Sequence, residues 1–577
     1  MATEGTTTPP VLHGPTAKEK KYDRQLRLWA ASGQAALEEA HLLLVNAGSG
    51  VAGIEALKNL VLPGMGQFTI LDSATVREED LGVNFFLDEQ SLGKSRAAET
   101  CRYLQELNPD VRGFSISEPV ETFISRPDSL TRYSHILVAS PIAPVVLESI
   151  SEHARLTHKP VIYIHCVGFY AQFSLYLPPT FPIVDTHPDP ASTTDLRLLK
   201  PWPALSEFAA LKSAGLDEMN DHDHGHVPYI VILLHYLEQW KAMHDGKLPV
   251  TYREKTEFRE LVRAAMRTKN AEGGEENFEE AIAAVLKSLN EPTASSGIKE
   301  VFAAEECQNL TPDSANFWII ANAISQFYAS EGVLPLPGSI PDMKAQSADY
   351  IALQNVYKTK AREDVQKVLL TVRNLEQQLS RSRPSIPDSE VEAFCKGAAH
   401  VKLIRGRPLH IVKPGEQYAG LTWGDRAKFA SNALVDDSSL ILLYIAFLAY
   451  DEFCATNRTN ENLPSPRAPG ADAAGVEEDT QTLADIATRI ISGILAEAGR
   501  DYNSDGEKEE WEGIKQRLTQ YCQELTRAGG AELHNVASLA GGIIAQEIIK
   551  VITKQYIPVD NTCVFDGVKS LSEVFRI

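Results

Sequence analysis

The chain has 577 residues, which at roughly 100–200 residues per domain suggests about three to five domains. Its 55 Lys and Arg stand against 77 Asp and Glu, and a formal charge of −22 excludes a binder that needs a basic footprint on a phosphate backbone. Hydrophobic residues make up 44% and charged residues 23%, so the composition is globular rather than disordered, and the acidity suits a basic protein partner.

Residues 1–20 are a Thr/Pro/Lys-containing tail with no apolar core, expected to be mobile and not a secretory signal. The chain then reads Tyr22-Asp-Arg24-Gln-Leu-Arg27-Leu-Trp29. A strand is expected at HLLLV, 41–45, followed by Gly48-x-Gly50-x-x-Gly53. The next stretch, IEALKNLVL, puts Ile54, Leu57 and Val61 on one side of a helix that Pro63 and Gly64 end. A second strand, QFTIL, runs into Asp72. Strand, glycine turn, helix, strand and acid form a nucleotide-binding pattern. Gly48 permits the tight turn, Gly50 lets a phosphate approach the backbone, and Gly53 lets the helix pack on the strand. Amides at the helix N-terminus face the anion, and Asp72, 19 residues after Gly53, is placed for ribose hydroxyls. The pattern alone leaves a dinucleotide and ATP both open.

Further strands are expected at HILVAS, VIYIHCV and QFSLYL, and a helix-rich region follows from about 180. Asp221-His222-Asp223-His224-Gly-His226 is packed too closely for the usual helical zinc spacing, so no metal is assigned to it. Val365, Val368, Val372, Leu375 and Leu379 form a stripe better suited to a packed core helix than to a coiled-coil seam. Leu440–Tyr450 is apolar for eleven residues, too short for a bilayer span of about 20, and reads as a buried core helix. The seven cysteines (Cys101, Cys166, Cys307, Cys395, Cys454, Cys522, Cys563) include no CxxC pair and read as free thiols in a reducing compartment. Residues 462–480 have linker composition. Asp501-x-Asn503-x-Asp505-Gly506 with Glu512 fits a calcium-loop pattern, but Lys508 takes the usual apolar position, and a solvated acidic helix connection is the plainer reading. The last helix lies in HNVASLAGGIIAQEIIKVITKQ, 534–555.

Taken together, Tyr22-Asp-Arg24-Gln, the glycine loop, ALKNLVLPGMGQFTILDSATV, GVNFFLDEQSLGKSRA and the 534–555 segment resemble the adenylation fold of the ubiquitin-like modifier activating enzymes, of the ThiF/MoeB type. HPDPASTTDLRLLKPWP, DHDHGHVPYIVILLHYLEQW, ENFEEAI, SIPDMKAQSADYIALQNVY and NTCVFDG are similar to the regulatory-subunit branch that serves the neddylation modifier. The resemblance covers nearly the whole chain. It implies an α/β, Rossmann-like adenylation domain that is pseudo-active and interrupted by a large, mostly helical insertion of the catalytic-cysteine type. The expected division is a tail at 1–20, the first part of the adenylation-like domain at 21–178, an insertion at 179–495 lacking the catalytic cysteine, and a return at 496–577.

Departures from the family's active pattern imply that this half does not adenylate. Asp72 matches the first acid of an Asp-x-Asp, but Ala74 stands at the second. Gly82 and Val83 stand where the family has Asn and Arg, and Arg96 stands at the lysine position, with Lys94 nearby. The strand HILVAS runs into Pro141 and Ile142, with no aspartate for magnesium before Glu148. Adenylation needs cationic groups and Mg²⁺ to neutralise phosphate charge. The glycine loop and Asp72 are therefore expected to be vestigial, with ATP and Mg bound by a catalytic partner subunit and no cofactor or metal assigned to this chain. Cys454 precedes Ala-Thr without the Pro-Cys-Thr context of a catalytic cysteine. The resemblance places Arg24 in trans at the partner's nucleotide, in the manner of an arginine finger. It also places the stretch Gly332–Met343, with Gly332, Pro335, Pro337, Gly338, Ile340, Pro341, Asp342 and Met343, at the contact with that partner. The implied function is that of the regulatory half of a heterodimer. The heterodimer adenylates the C-terminal glycine of the neddylation modifier and loads it as a thioester on the catalytic subunit. Implied partners are that subunit, the ubiquitin-like modifier and the conjugating enzyme, with no nucleic acid and no membrane, in the cytoplasm or nucleus. The alternatives are a regulatory subunit for a SUMO-type modifier and a Rossmann NAD-dependent oxidoreductase.

Overall fold

The computed structural model describes residues 14–189, 194–269, 274–382, 384–457, 467–500 and 505–577, with side chains in the last stretch from 508. The chain divides into two compact units, one of residues 1–181 with 404–577 and one of residues 182–403.

The first unit is built on a mixed sheet. Its strands are β1 (His41–Asn46), β2 (Gln67–Leu71), β3 (Arg112–Ile116), β4 (His135–Ala139), β5 (Val161–Val167) and β6 (Tyr170–Tyr176). Strands β3, β2, β1, β4 and β5 lie parallel in that order, and β5 pairs with β6 antiparallel. Strands β1, β4 and β5 are buried along almost their whole length, which is why they read as unbroken apolar runs rather than alternating ones. The helices that cover this part are α1 (Asp23–Glu39), α2 (Val51–Val61), α3 (Arg96–Glu106) and α4 (Pro144–Thr157). The expected strand–glycine turn–helix–strand order is therefore realised as β1, the loop 47–50, α2 and β2. Part of the tail expected to be mobile is ordered: Ala17–Lys21 is a short helix whose start is capped by Thr16, while residues 1–13 lie outside the described residues.

The chain crosses between units where the short strands β7 (Phe181–Val184) and β8 (Val401–Ile404) pair. The second unit is largely helical, with a core on α5 (Tyr229–Met243), α6 (Asn316–Glu331), α7 (Ser347–Gln378) and α8 (Asp388–Gly397). Val365, Val368, Val372 and Leu375 of α7 are buried in that core, as the packed-helix reading expects. The segment 332–346 follows α6 as an extended strap. Its Leu336 amide donates to the buried Asp364 carboxylate at 3.0 Å.

The insertion is shorter than expected from the sequence: residues 404–495 belong with the α/β unit. The cause is α9 (Ile441–Thr456), which is buried from Ile441 to Cys454. It shares a core with Tyr170, Val564 and Phe575 of the sheet and with α10 (Val476–Ala498) and α11 (Asp505–Ala528). The apolar run at 440–450 is thus a core helix, as expected, but a core helix of the first unit. Residues 458–466 of the linker region lie outside the described residues, and its end is already helical in α10. The calcium-loop pattern starts at 501–504, outside the described residues. Its later positions, from Asp505 to Glu512, lie in the single helix α11. The unit closes with α12 (His534–Thr553), β9 (Thr562–Asp566) and the edge strand β10 (Leu571–Phe575), both antiparallel in the sheet. Helix α12 lies directly on α2. A Cβ added at Gly541 would stand 2.6 Å from the Cβ of Glu55 and 2.8 Å from the Ala56 amide, so only glycine permits this approach.

Candidate functional site

The loop between β1 and α2 sits where a doubly wound sheet places its ligand crevice, past the carboxyl ends of the strands. Gly50 has φ of +65° in the left-handed region, and a side chain there would run into Asn46. Asn46 organises the loop. Its amide oxygen accepts from the Gly48 amide at 3.1 Å, and its nitrogen donates to Asp72 at 2.9 Å. At Gly48 a Cβ would lie 2.6 Å from the Pro141 ring, and at Gly53 it would lie 2.6 Å from Leu44 on β1. All four sequence-assigned positions, Gly48, Gly50, Gly53 and Asp72, are thus brought together.

The chain itself fills both ends of this crevice. The Glu532 carboxylate, on the segment before α12, accepts from the Val51 amide at 2.9 Å, the Ala52 amide at 2.8 Å and the Ser49 hydroxyl at 2.6 Å. These are the donors at the α2 N-terminus that a phosphate would take. Glu532 is buried, and burial raises its pKa even though those hydrogen bonds pull the other way. At the other end, the Arg96 guanidinium takes Asp72. Its Nε donates to Asp72 at 2.7 Å, its Nη1 to Asp80 at 2.9 Å, and its Nη2 to the Gly48 carbonyl. Burial works against the charge on Arg96, but Asp72 and Asp80 outweigh it and raise its pKa. Asp72 also accepts from the Ala74 amide at 2.8 Å.

Asp72 does not face a ribose site, the role the motif by itself would give it: it is 2% exposed and committed to Arg96, Asn46 and Ala74. Arg96 is not a simple stand-in for a phosphate-binding lysine, because it spans from Asp72 to the loop carbonyl. Lys94 is exposed, with its amine 3.9 Å from Glu99. The residues present do not fit a bound nucleotide, since the anion position and the ribose acid are both taken. After β4, where the family's magnesium aspartate is missing, the Ser140 hydroxyl donates to Asp451 of α9 at 3.3 Å, and Tyr163 donates to the same carboxylate at 2.9 Å.

Glu532 was not legible as a site residue. It acts on amides 481 and 480 residues away, and its only local signal is an acid just before a helix. Asp80 gave a faint signal as the last acid of Glu78-Glu79-Asp80.

Arg24 lies elsewhere. It is exposed near the start of α1, with no hydrogen bond or ion pair among the described residues. The start of α1 is anchored by Tyr22, which is buried and donates to Asp110 at 3.1 Å. Helix α12 packs on α1, and the Tyr556 hydroxyl donates to the Leu28 carbonyl at 3.1 Å. On α1, one turn after Arg24, Leu28 is exposed (51%); at the other end of α12 from Tyr556, Phe85 is exposed (78%) and its ring stacks at 6.4 Å on His534.

The strap residues in the second unit are split. Pro335, Gly338 and Met343 are buried within that unit; Pro337, Ile340 and Pro341 are half-buried; Gly332 and Asp342 are exposed. The first three therefore hold the strap to its own unit rather than offering themselves to a partner. All seven cysteines are buried free thiols. In the histidine cluster, His224 turns inward to Glu275 at 2.6 Å, and the His226 ring bonds the His222 carbonyl at 2.7 Å. Among the described residues, no group of three His, Cys, Asp or Glu side chains is placed to hold a metal.

Comparison with known proteins places these features in a family. A model of the ThiF family matches residues 22–577. The chain is 37% identical to a NEDD8-activating enzyme E1 regulatory subunit of Xenopus laevis, covering 97% of this chain and 99% of that protein. Identity is 37% to the Gallus gallus protein of the same name, over 97% of this chain and 98% of that one. It is 33% to the Arabidopsis thaliana regulatory subunit AXR1, over 96% of each.

Proposed function

Because the chain belongs to the ThiF family and, within it, to the NEDD8-activating enzyme E1 regulatory subunits, we propose that it is the non-catalytic half of a heterodimer whose other subunit binds ATP and Mg, adenylates the C-terminal glycine of the modifier and takes it up as a thioester. One observation carries the proposal: the chain's own Glu532 and Arg96 occupy the crevice where a catalytic half would hold its nucleotide. Arg96 adds a single cation, and it is bound by two carboxylates, so its charge is already taken before any phosphate arrives. The buried, high-pKa thiols support the same division of labour, since a thioester-forming cysteine must be exposed and easily ionised.

The chain's contribution is then scaffolding and one charge. Arg24 projects unpaired from an anchored helix, one turn before the exposed Leu28. An apolar surface of this kind suits a protein interface, and an unpaired guanidinium at its edge suits a partner's phosphates. In that position Arg24 neutralises charge on the departing pyrophosphate, while α1 and Tyr22 hold it in place.

ATP–pyrophosphate exchange tests the reading. This chain alone should give none, the mixture with the catalytic subunit and modifier should exchange, and Arg24→Ala should lower the exchange rate of the mixture without preventing assembly. Exchange by this chain alone overturns the non-catalytic reading. Wild-type exchange by an assembled Arg24→Ala complex overturns only the role of Arg24.

A further inference from the structure

The second unit carries a groove of about 860 Å³, between the strap at 336–340 and helices α7 and α8. Its apolar surface comes from Leu336, Pro337, Ile340, Ala361, Val365 and Ala393. Its shape is fixed from within. Asp364, fully buried, accepts from the Leu336 amide at 3.0 Å and from Lys360 at 2.7 Å. Gly338, at φ of +83°, lets the strap lie so close to α7 that a Cβ there would stand 2.7 Å from that of Ala361. A groove held this way is open before any ligand arrives.

Its lining carries more cations than acids, whereas the chain as a whole has 22 more acids than bases. Lys358, Arg362 and Lys396 line it and are exposed. Elsewhere on α7 the cations are neutralised: Lys360 by Asp364 at 2.7 Å, Lys367 by Glu331 at 2.6 Å, and Arg373 by Glu376 at 2.8 Å. Lys358, by contrast, donates to the neutral Gln354 amide at 2.7 Å, and neither Arg362 nor Lys396 has an ion pair among the described residues. Asp185 and Glu392 also line the groove, without pairing to any of the three. In a chain with 22 more acids than bases, three cations without ion pairs around one apolar trough outnumber its two acids and are complementary to an acidic ligand.

We infer that this groove docks an extended acidic peptide segment of a partner protein, with an apolar side chain against Leu336, Ile340 and Val365 and flanking carboxylates against Lys358, Arg362 and Lys396. The docking stands independently of whether the chain acts in adenylation.

The test uses the full chain and fluorescence anisotropy. The probe is a fluorescein-labelled peptide of sequence Glu-Asp-Glu-Leu-Phe-Asp-Glu-Asp; the control is the same peptide with every acid replaced by Lys. The acidic peptide should bind, bind less at raised salt, and bind about tenfold more weakly to an Arg362→Glu/Lys396→Glu variant, whose exposed substitutions should leave the melting temperature nearly unchanged. Lys358→Gln, a milder change, should weaken it about twofold and serves as the readout if the double variant does not fold. The inference fails if the acidic peptide does not bind, if the charge-reversed chain binds it equally, or if the basic peptide binds as well. It also fails if an oligonucleotide or anionic phosphatidylserine vesicles compete through the same three cations more strongly than the peptide, or if the groove mediates self-association in sedimentation.

Discussion

Glu532→Ala is the sharpest perturbation of the filled crevice. The substitution leaves the Val51 and Ala52 amides without their acceptor at a buried helix start, and frees the Ser49 hydroxyl to find water. Two buried orphan donors at about 1–3 kcal/mol each set a gross loss of roughly 2–6 kcal/mol. Removing a buried carboxylate that burial disfavours returns part of it, so the net loss is about 2–4 kcal/mol, at or above the roughly 2 kcal/mol upper end for a lost cap because two amides are orphaned. Glu532→Gln keeps one acceptor oxygen and should lose about half as much. The assay is urea unfolding of the full chain by far-UV circular dichroism, following the transition of the α/β unit. Acetate and phosphate supply the distinguishing arm. An anion that enters the vacated N-terminus stabilises the variant in proportion to its concentration and leaves the wild type unmoved. A loss below about 0.5 kcal/mol, or equal anion effects on the two proteins, refutes the claim that Glu532 occupies the anion position.

Arg96→Ala removes the counter-charge of two buried carboxylates, Asp72 and Asp80, and should cost about 3–5 kcal/mol, while Asp72→Asn should cost less; chemical denaturation of both variants decides this, and equal, small effects would count against it. Iodoacetamide at neutral pH should label none of the seven cysteines in the native chain and all of them after denaturation. Burial pushes Cys101, Cys307 and Cys563 up to about 11 and Cys395 and Cys522 up to about 12, and it raises Cys166 and Cys454 as well; rapid native labelling at any position, read by mass spectrometry, contradicts this. Burial, with Lys554 and Lys159 nearby, lowers His135 to about 4, so it stays neutral in the fold while the unfolded chain takes up a proton near pH 6.5. Its contribution is fully present above about pH 6.5 and lost as pH falls through about 4, by up to about 3 kcal/mol; His135→Asn should flatten that slope, and an unchanged slope in denaturant titrations would exclude the assignment.

Much of this molecule is written locally. The apolar runs at 41–45 and 67–71, the glycine loop between them and the helical spacing of Ile54, Leu57 and Val61 are short-range patterns, and β1, β2 and α2 follow from them because strand and helix periods are local properties. The departures at Ala74, Gly82, Val83 and Arg96 were likewise readable as missing phosphate chemistry, because each is a substitution within a continuous motif. The tertiary structure decided what replaced that chemistry. Glu532 reaches the α2 N-terminus from 481 residues away, and Arg96 turns onto Asp72 and Asp80 rather than outward. It also decided which unit holds residues 404–495, since an apolar helix such as α9 carries no mark of the surface it will cover. The same holds for the strap, expected at a partner contact, where Gly338 packs on Ala361 of α7 and Met343 is buried in the core of its own unit. Hydrogen-bond and packing partners are chosen by proximity in space, and in a chain whose sheet is completed by its last strands, that proximity exists only once both ends have folded together.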